Sequence, residues 1–396
     1  MIIILVFFSG NLIWRDRDSK INDVIDATPH TSFISLATKA ISLVAVTTII
    51  HMFFIISGIV YQLANGFHRI EFDVYFLDFF YTSLMTYIIW SGVMIMIQVL
   101  LNNKYIGYFV SILVVFLWRY LLLIFDIQSN MLSIGGRPGM IYSDMNAFGP
   151  SLPGVMWFNL YWVLFSFICL LVAGALWNRG SISSLKGRIQ IAKKQIPKSY
   201  RLIIVGTLVC WMAVAGFVFY NTQVLNKYNS SNELQQLAVN YENNYKKYEY
   251  AKLPKINDVK YSVDIFPHKR EVFVKAIMTL VNESESNIDS IHYSIDSHWE
   301  PNIKIPNSEL VLDDKDLDYR IYKLSKPTHP GDKITIEINT QYSSKGFENG
   351  IGNTRIINNG TFLNESRILP LLGYQSRNEL SDKNTRKKLG LKPIAS

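Results

Sequence analysis

Seven histidines, two cysteines and a few charged residues inside apolar runs are the groups in this 396-residue chain with chemistry to offer. A helical zinc hydrolase site needs the H-E-x-x-H spacing, which brings two imidazoles to one helix face with a glutamate beside them. His30, His51, His68, His268, His292, His298 and His329 contain no such pair. The run from His298 to Pro301 echoes its start, but Pro301 would stop the helix that must present the ligands. Cys169 and Cys210 both fall in apolar runs, so they supply neither a disulfide framework nor a thiolate metal site. No G-x-x-x-x-G-K-[ST] loop occurs. Without that phosphate cradle, nucleotide hydrolysis requires a separate subunit.

Arg119 and Asp126 stand seven positions apart, two helical turns along one face. Two readings apply: an intramembrane ion pair facing a pathway, or a structural pair near the outer boundary. His51 and Gln98, also within apolar runs, are expected to be interhelical hydrogen-bond partners.

The elements that would position these groups change solvent near Tyr220. Before it lie apolar runs at Ile2 to Ile13, Ser42 to Leu63, Phe79 to Leu101, Tyr108 to Phe125, Val155 to Trp177 and Leu202 to Tyr220. A bilayer core needs roughly 20 apolar residues in helix, which five of the runs approach or exceed. The first is shorter. Lacking a basic start and a cleavage site, it reads as a clipped or tilted spanning helix rather than a signal peptide. Lysine and arginine near span ends stay cytoplasmic. Between Asn178 and Arg201 lie Arg179, Lys186, Arg188, Lys193, Lys194, Lys198 and Arg201 with no acidic residue, so this loop is assigned inside. Alternating backwards puts the loop of Arg15, Arg17, Lys20 and Lys39 inside, together with the turn holding Lys104. Only Arg69 and Arg137 remain on the outer loops. Six crossings follow, with everything after Tyr220 outside the cytoplasm. The formal charge of +8 does not point to nucleic acid, because the basic residues cluster at helix ends, where phospholipid headgroups are the anionic partner.

After Tyr220 the pattern is polar. Leu234, Leu237 and Tyr241 fall on one side of an expected stalk helix. From Lys255 the period becomes two: Val259, Tyr261, Val263 and Ile265, then Val272, Val274 and Ala276, later Ile334, Ile336 and Ile338. Turns rich in Asn, Gly, Pro and Asp separate these runs, predicting an antiparallel sheet domain with one wet face. The organisation expected is an α-helical polytopic region of about six spans over 1–222, a stalk over 223–254, an all-β extracytoplasmic domain over 255–375, and a polar, basic tail over 376–396.

The loop WRDRDSKINDVIDATPHTS, Trp14 to Ser32, resembles the loop after the second helix of type-2 ABC exporter permeases. The resemblance implies an ATPase-docking loop with Arg15, Asp16, Arg17, Ile25, Asp26, Ala27, Thr28 and Pro29 in matching places. Ile21, Val24 and Ile25 also share one helical face, an apolar stripe able to press on a partner. The alternative is an amphipathic loop lying on the bilayer.

From about Lys255 onward the chain resembles the amino-terminal lobe of gluzincin aminopeptidases, the aminopeptidase N family. With YSDMNAFGPSLPGVMWFNLYW, VDIFPHKREVFVKAIMTLVNES and GTFLNESRILPLLGYQSRNELSDKNTRKKLGL, the whole looks like the middle of a fusion of such a permease with such an aminopeptidase. The resemblance stops at the catalytic motif, so no catalytic residue is carried over, and zinc is implied only for a catalytic domain beyond this chain. Three functions follow as expectations: an ABC permease-like membrane protein of the bacterial inner membrane with a separate ATPase partner, a fragment of a membrane-tethered zinc aminopeptidase, or a membrane-anchored binding scaffold. The aminopeptidase-like lobe also admits a peptide contact.

Overall fold

The computed structural model describes residues 1–21, 24–25, 32–101, 103–177, 184–299, 301–352, 355–364 and 368–394. The chain divides into two compact units, Met1–Tyr228 with Gly346–Gly352, and Asn229–Lys345 with Asn353–Ser396.

The first unit is helical: α1 (Ile2–Asp18), α2 (Ser32–Ala64), α3 (Phe72–Leu100), α4 (Lys104–Ile124), α5 (Leu152–Ala175), α6 (Leu185–Gln195) and α7 (Lys198–Leu225). Helices α2, α3, α4, α5 and α7 are long and apolar enough to cross a bilayer. The short first run becomes a 17-residue helix extending to Asp18, past the expected end at Ile13. Its polar last turn stays helical because Asp16 bonds Lys39 of α2 and Asp18 bonds Lys104 of α4.

Helix α3 is the axis of this unit. Its Tyr87, Trp90, Val93, Met94 and Ile97 pack with Leu5 and Val6 of α1, Leu43 of α2 and Cys169 of α5. Small residues set the spacing. A Cβ at Gly92 would stand 2.2 Å from Ser166 Oγ of α5, one at Gly10 2.1 Å from the Tyr108 ring of α4, and one at Gly107 2.2 Å from Gln98 Oε1. Such glycines let helix backbones approach closely. Outward faces of α2, α4 and α7 carry exposed apolar side chains, among them Phe53, Phe54, Phe116, Leu123, Val205 and Val209.

A π-helical turn, Phe79–Leu84, interrupts α3, and a second closes α7 at Tyr220–Leu225. The segment 346–352 was expected within the β domain. Instead Asn349 accepts from the Asn130 amide at 2.9 Å and donates to Gln128 O at 3.1 Å, and Phe347 meets the rings of Phe158 and Phe217.

The second unit holds two four-stranded antiparallel sheets, not one. Strand order is β1–β2–β7–β4 in the first and β5–β6–β3–β8 in the second. The strands are β1 (Lys255–Phe266), β2 (Glu271–Val281), β3 (Ile288–Ser294), β4 (Asn302–Lys304), β5 (Ser308–Asp314), β6 (Tyr319–Thr328), β7 (Lys333–Ser343) and β8 (Leu371–Leu372). Ala276, Met278, Leu280, Ile336 and Ile338 of the first sheet meet Ile291, Tyr293, Tyr322 and Leu324 of the second in one core. The alternation predicted for β2 is what buries it: Val272, Val274, Ala276, Met278 and Leu280 point inward.

The expected stalk over 223–254 is corrected. Its helix α8, Ser231–Tyr245, opens on a Ser230–Glu233 capping box and packs within the sheet unit. The packed face is Val239, Tyr241, Glu242 and Tyr245; Leu234 is 54% exposed. Aromatic stacking decides this, with Tyr245 on Tyr319 at 4.2 Å and Tyr241 on Tyr374 at 5.0 Å. The polar, basic tail expected over 376–396 is docked within the same unit. A short helix, α9 (Lys383–Lys388), carries Arg386, 2% exposed, onto the Glu242 carboxylate.

Candidate functional site

The loop-derived candidates cluster where α1 ends, α2 and α4 begin, and α3 and α5 finish. Asp16 forms a 2.9 Å ion pair with Lys39, which also donates to Leu12 O at 2.6 Å. Asp18 takes Lys104 at 2.8 Å. The Arg17 guanidinium lies over Trp14 at 4.9 Å and Trp177 at 5.8 Å, while Trp14 Nε1 donates to buried Gln98 Oε1 at 3.1 Å. The end of α1 is therefore tied to α2, α3 and α4.

Arg188 closes the same end from α6. It donates to Val99 O at 2.6 Å, Leu100 O at 2.9 Å and Leu176 O at 3.3 Å, the final carbonyls of α3 and α5. A helix leaves its last four carbonyls without intrahelical donors, at the negative end of its dipole, and a buried guanidinium answers both needs. Burial first, then repulsion from Arg17, draws the Arg188 pKa below its ordinary value. Among the described residues, the three basic segments of the helical unit thus meet at one end of it.

Arg15, Asp16, Arg17 and Ile21 all lie in this cluster. Arg15 points out, with its side chain 76% exposed. Beyond α1, the Ile21 amide donates to Asp16 O at 3.1 Å, and a fresh turn starts with Val24 and Ile25 bonding back to Ile21 O. Val24 is 72% exposed. Asp26, Ala27, Thr28 and Pro29 lie outside the described residues. The partners Lys39, Gln98, Lys104, Trp177 and Arg188 were not read as members of this site. The available signal was the capping need of α3 and α5, which a nearby basic amphipathic helix can meet.

The same-face argument for Arg119 and Asp126 does not hold. Helix α4 ends at Ile124, and Asp126 has left-handed backbone, φ 53°, accepting from Gln128 Nε2 at 3.1 Å. Arg119 lies on the exposed side of α4.

No cluster of three metal-ligating side chains occurs among the described residues. His51 bonds Tyr87 Oη of α3 at 2.8 Å, the interhelical role expected of it. In the sheet unit His292 meets Tyr319 Oη at 3.1 Å and Ser290 Oγ at 3.3 Å; burial holds its pKa below the ordinary histidine value. His298 sits on a three-residue turn against Asp296 at 2.8 Å. The α1 end is thus joined by short polar contacts to three other helices. Comparison with family models, curated proteins and solved structures returned no match to the chain.

Proposed function

We propose that this chain is a multi-pass membrane protein of type-2 ABC permease kind, seated in a bacterial inner membrane with its β unit outside the cytoplasm. In this reading a separate ATPase subunit docks on the α1–α2 connection. Docking moves the α1 end, and the Asp16–Lys39, Asp18–Lys104 and Trp14–Gln98 contacts hand that movement to α2, α4 and α3. One observation carries the reading: Trp14, Gln98, Asp16 and Lys39, which join helices, are turned inward while Arg15, Ile21 and Val24 are left exposed beside them. The five long apolar helices and their outward phenylalanines and leucines support bilayer insertion. Basic loops gathered at one end support a cytoplasmic assignment for that end.

The experiment is site-specific crosslinking in native membranes from Val24→Cys. Capture of an ATPase subunit is expected, and labelling by lipid probes alone sinks the docking role. A reporter fused after Ser396 and found in cytosol would overturn the orientation.

A further inference from the structure

Open strand edges attract partners, and folded proteins ordinarily shorten, bulge or cover them. Three of the four outer strands in the sheet unit follow that rule. β4 has three residues, β8 has two, and β5 has seven with a register shift between Leu310 and Leu312. β1 does not. It runs for 12 residues, ends its sheet, and is regular in pairing from Asp258 to Phe266.

Its inner face is also uncovered. Tyr261, Val263 and Ile265 stand opposite Ala276, Val274 and Val272 of β2, which are buried, yet are themselves 43%, 40% and 42% exposed. An apolar row thus overhangs the core at an edge whose backbone groups are available for pairing. On the outer face, Lys260 and Asp264 make no ion pair among the described residues.

We propose that β1 pairs with β1 of a second copy of this chain, antiparallel, about a two-fold axis through Ser262. This register sets Lys260 opposite the partner's Asp264 and Asp264 opposite the partner's Lys260, so one symmetric contact makes two ion pairs. It sets Val259 against the partner's Ile265 and Tyr261 against the partner's Val263 on the apolar face, giving aromatic and branched cross-strand pairs. Ser262 meets its own copy on the axis. Two residues of slip toward the amino end would face Asp258 with Asp264, a like-charge pair. Four would face Lys260 with itself. Slipping further still would bring the irregularity between Ile256 and Asp258 into the ladder. Within the regular stretch from Asp258 to Phe266 this alignment is the one that sets Lys260 against Asp264 twice, and an isologous contact of this kind closes on itself as a dimer.

The test uses the full chain in detergent and in lipid nanodiscs, with mass measured across protein concentration. Wild type is expected to be dimeric at micromolar concentration. Lys260→Asp, which sets two carboxylate pairs across the axis, should raise the dissociation constant by about tenfold or more. Adding Asp264→Lys should restore the dimer. In a Cys210→Ser background, Ser262→Cys should oxidise to a covalent dimer and Ile256→Cys should not. A wild-type monomer overturns the proposal. So does a dimer indifferent to residues 260 and 264, equal crosslinking from 256 and 262, or a monomer whose edge instead captures an unrelated extended peptide.

Discussion

Arg386 and Glu242, 144 positions apart, form a two-pronged ion pair of 2.7 and 2.8 Å with both side chains buried. Glu379 lies 3.8 Å from the same guanidinium, and Lys246 bridges the two carboxylates at 3.1 and 3.2 Å. Removing one partner strands an uncompensated charge in low dielectric. Arg386→Ala is therefore expected to destabilise the sheet unit by about 3–5 kcal/mol, whereas exchange of the whole set for apolar residues would cost far less. Denaturant melts of the full chain, read by tyrosine fluorescence, measure it. A loss under about 1 kcal/mol would mean the tail is not anchored in this way.

The same pair predicts an acid transition. Hydrogen bonds from Arg386 foremost, aided by Lys246, hold the Glu242 pKa below its ordinary 4.5 against the raising effect of burial. A carboxylate depressed in the folded state contributes stability above its unfolded pKa and loses it as pH falls through the folded one. Stability should therefore drop below about pH 4.5, and Glu242→Gln should flatten that part of the profile at a lower plateau.

His292 predicts an earlier step. Buried beside Tyr319 and Tyr248, it favours the neutral ring, so its folded pKa lies below 6.5. The unfolded chain then binds the extra proton first, and stability should decline as pH falls below 6.5. His292→Gln should remove this decline and leave the Glu242 step in place. Unfolding free energies taken at intervals from pH 8 to pH 3 separate the two.

How much of this was legible in the sequence depends on what encodes it. Long apolar helices declare themselves by run length, and β1, β2 and β7 by strict alternation. β3 is buried almost continuously and β6 irregularly, so neither shows a clean period. Docking of α9 is invisible for another reason: ion pairs such as Arg386–Glu242 leave no periodicity, only charges that read as solvated. In α8 the expected side included Tyr241, which is buried, and Leu234, which lies in solvent, while buried Tyr245 was not read. At the candidate site Arg15, Asp16 and Arg17 were named from local sequence, but Lys39, Lys104 and Arg188 become partners only once helices stack.

Glycine geometry separates packed from open helix faces. Gly92 leaves 2.2 Å for a Cβ before Ser166 Oγ and 2.7 Å before the Ser166 carbonyl, which is backbone. Gly92→Val should force α3 and α5 apart and cost about 1–3 kcal/mol or more. Gly58 in α2 has nothing within 4 Å, so Gly58→Ala should be neutral or gain about 0.5–1 kcal/mol through helix propensity. Thermal stability of the two purified variants in one detergent gives the comparison, and equal losses would contradict the helix spacing described.

Helix α6 supplies the last prediction. Its inward face spends Arg188 on the ends of α3 and α5, so α6 lies level with those helix ends. Its outward face carries Leu185 and Ile189 beside Lys186, Lys193 and Lys194, all exposed. An apolar border next to three ammonium groups is the composition of a helix lying in the headgroup layer of anionic lipid. Changing the three lysines to glutamine should reduce phosphatidylglycerol retained on the purified protein, counted by native mass spectrometry, and leave phosphatidylcholine unchanged. Arg188→Ala should act differently. It uncaps two helices, costing about 3 kcal/mol of stability from lost charged hydrogen bonds, with the lysine-dependent lipid count preserved wherever α6 stays folded. If the glutamine variant retains as much anionic lipid as wild type, α6 does not lie in the headgroup layer, and its lysines are free to meet a protein partner.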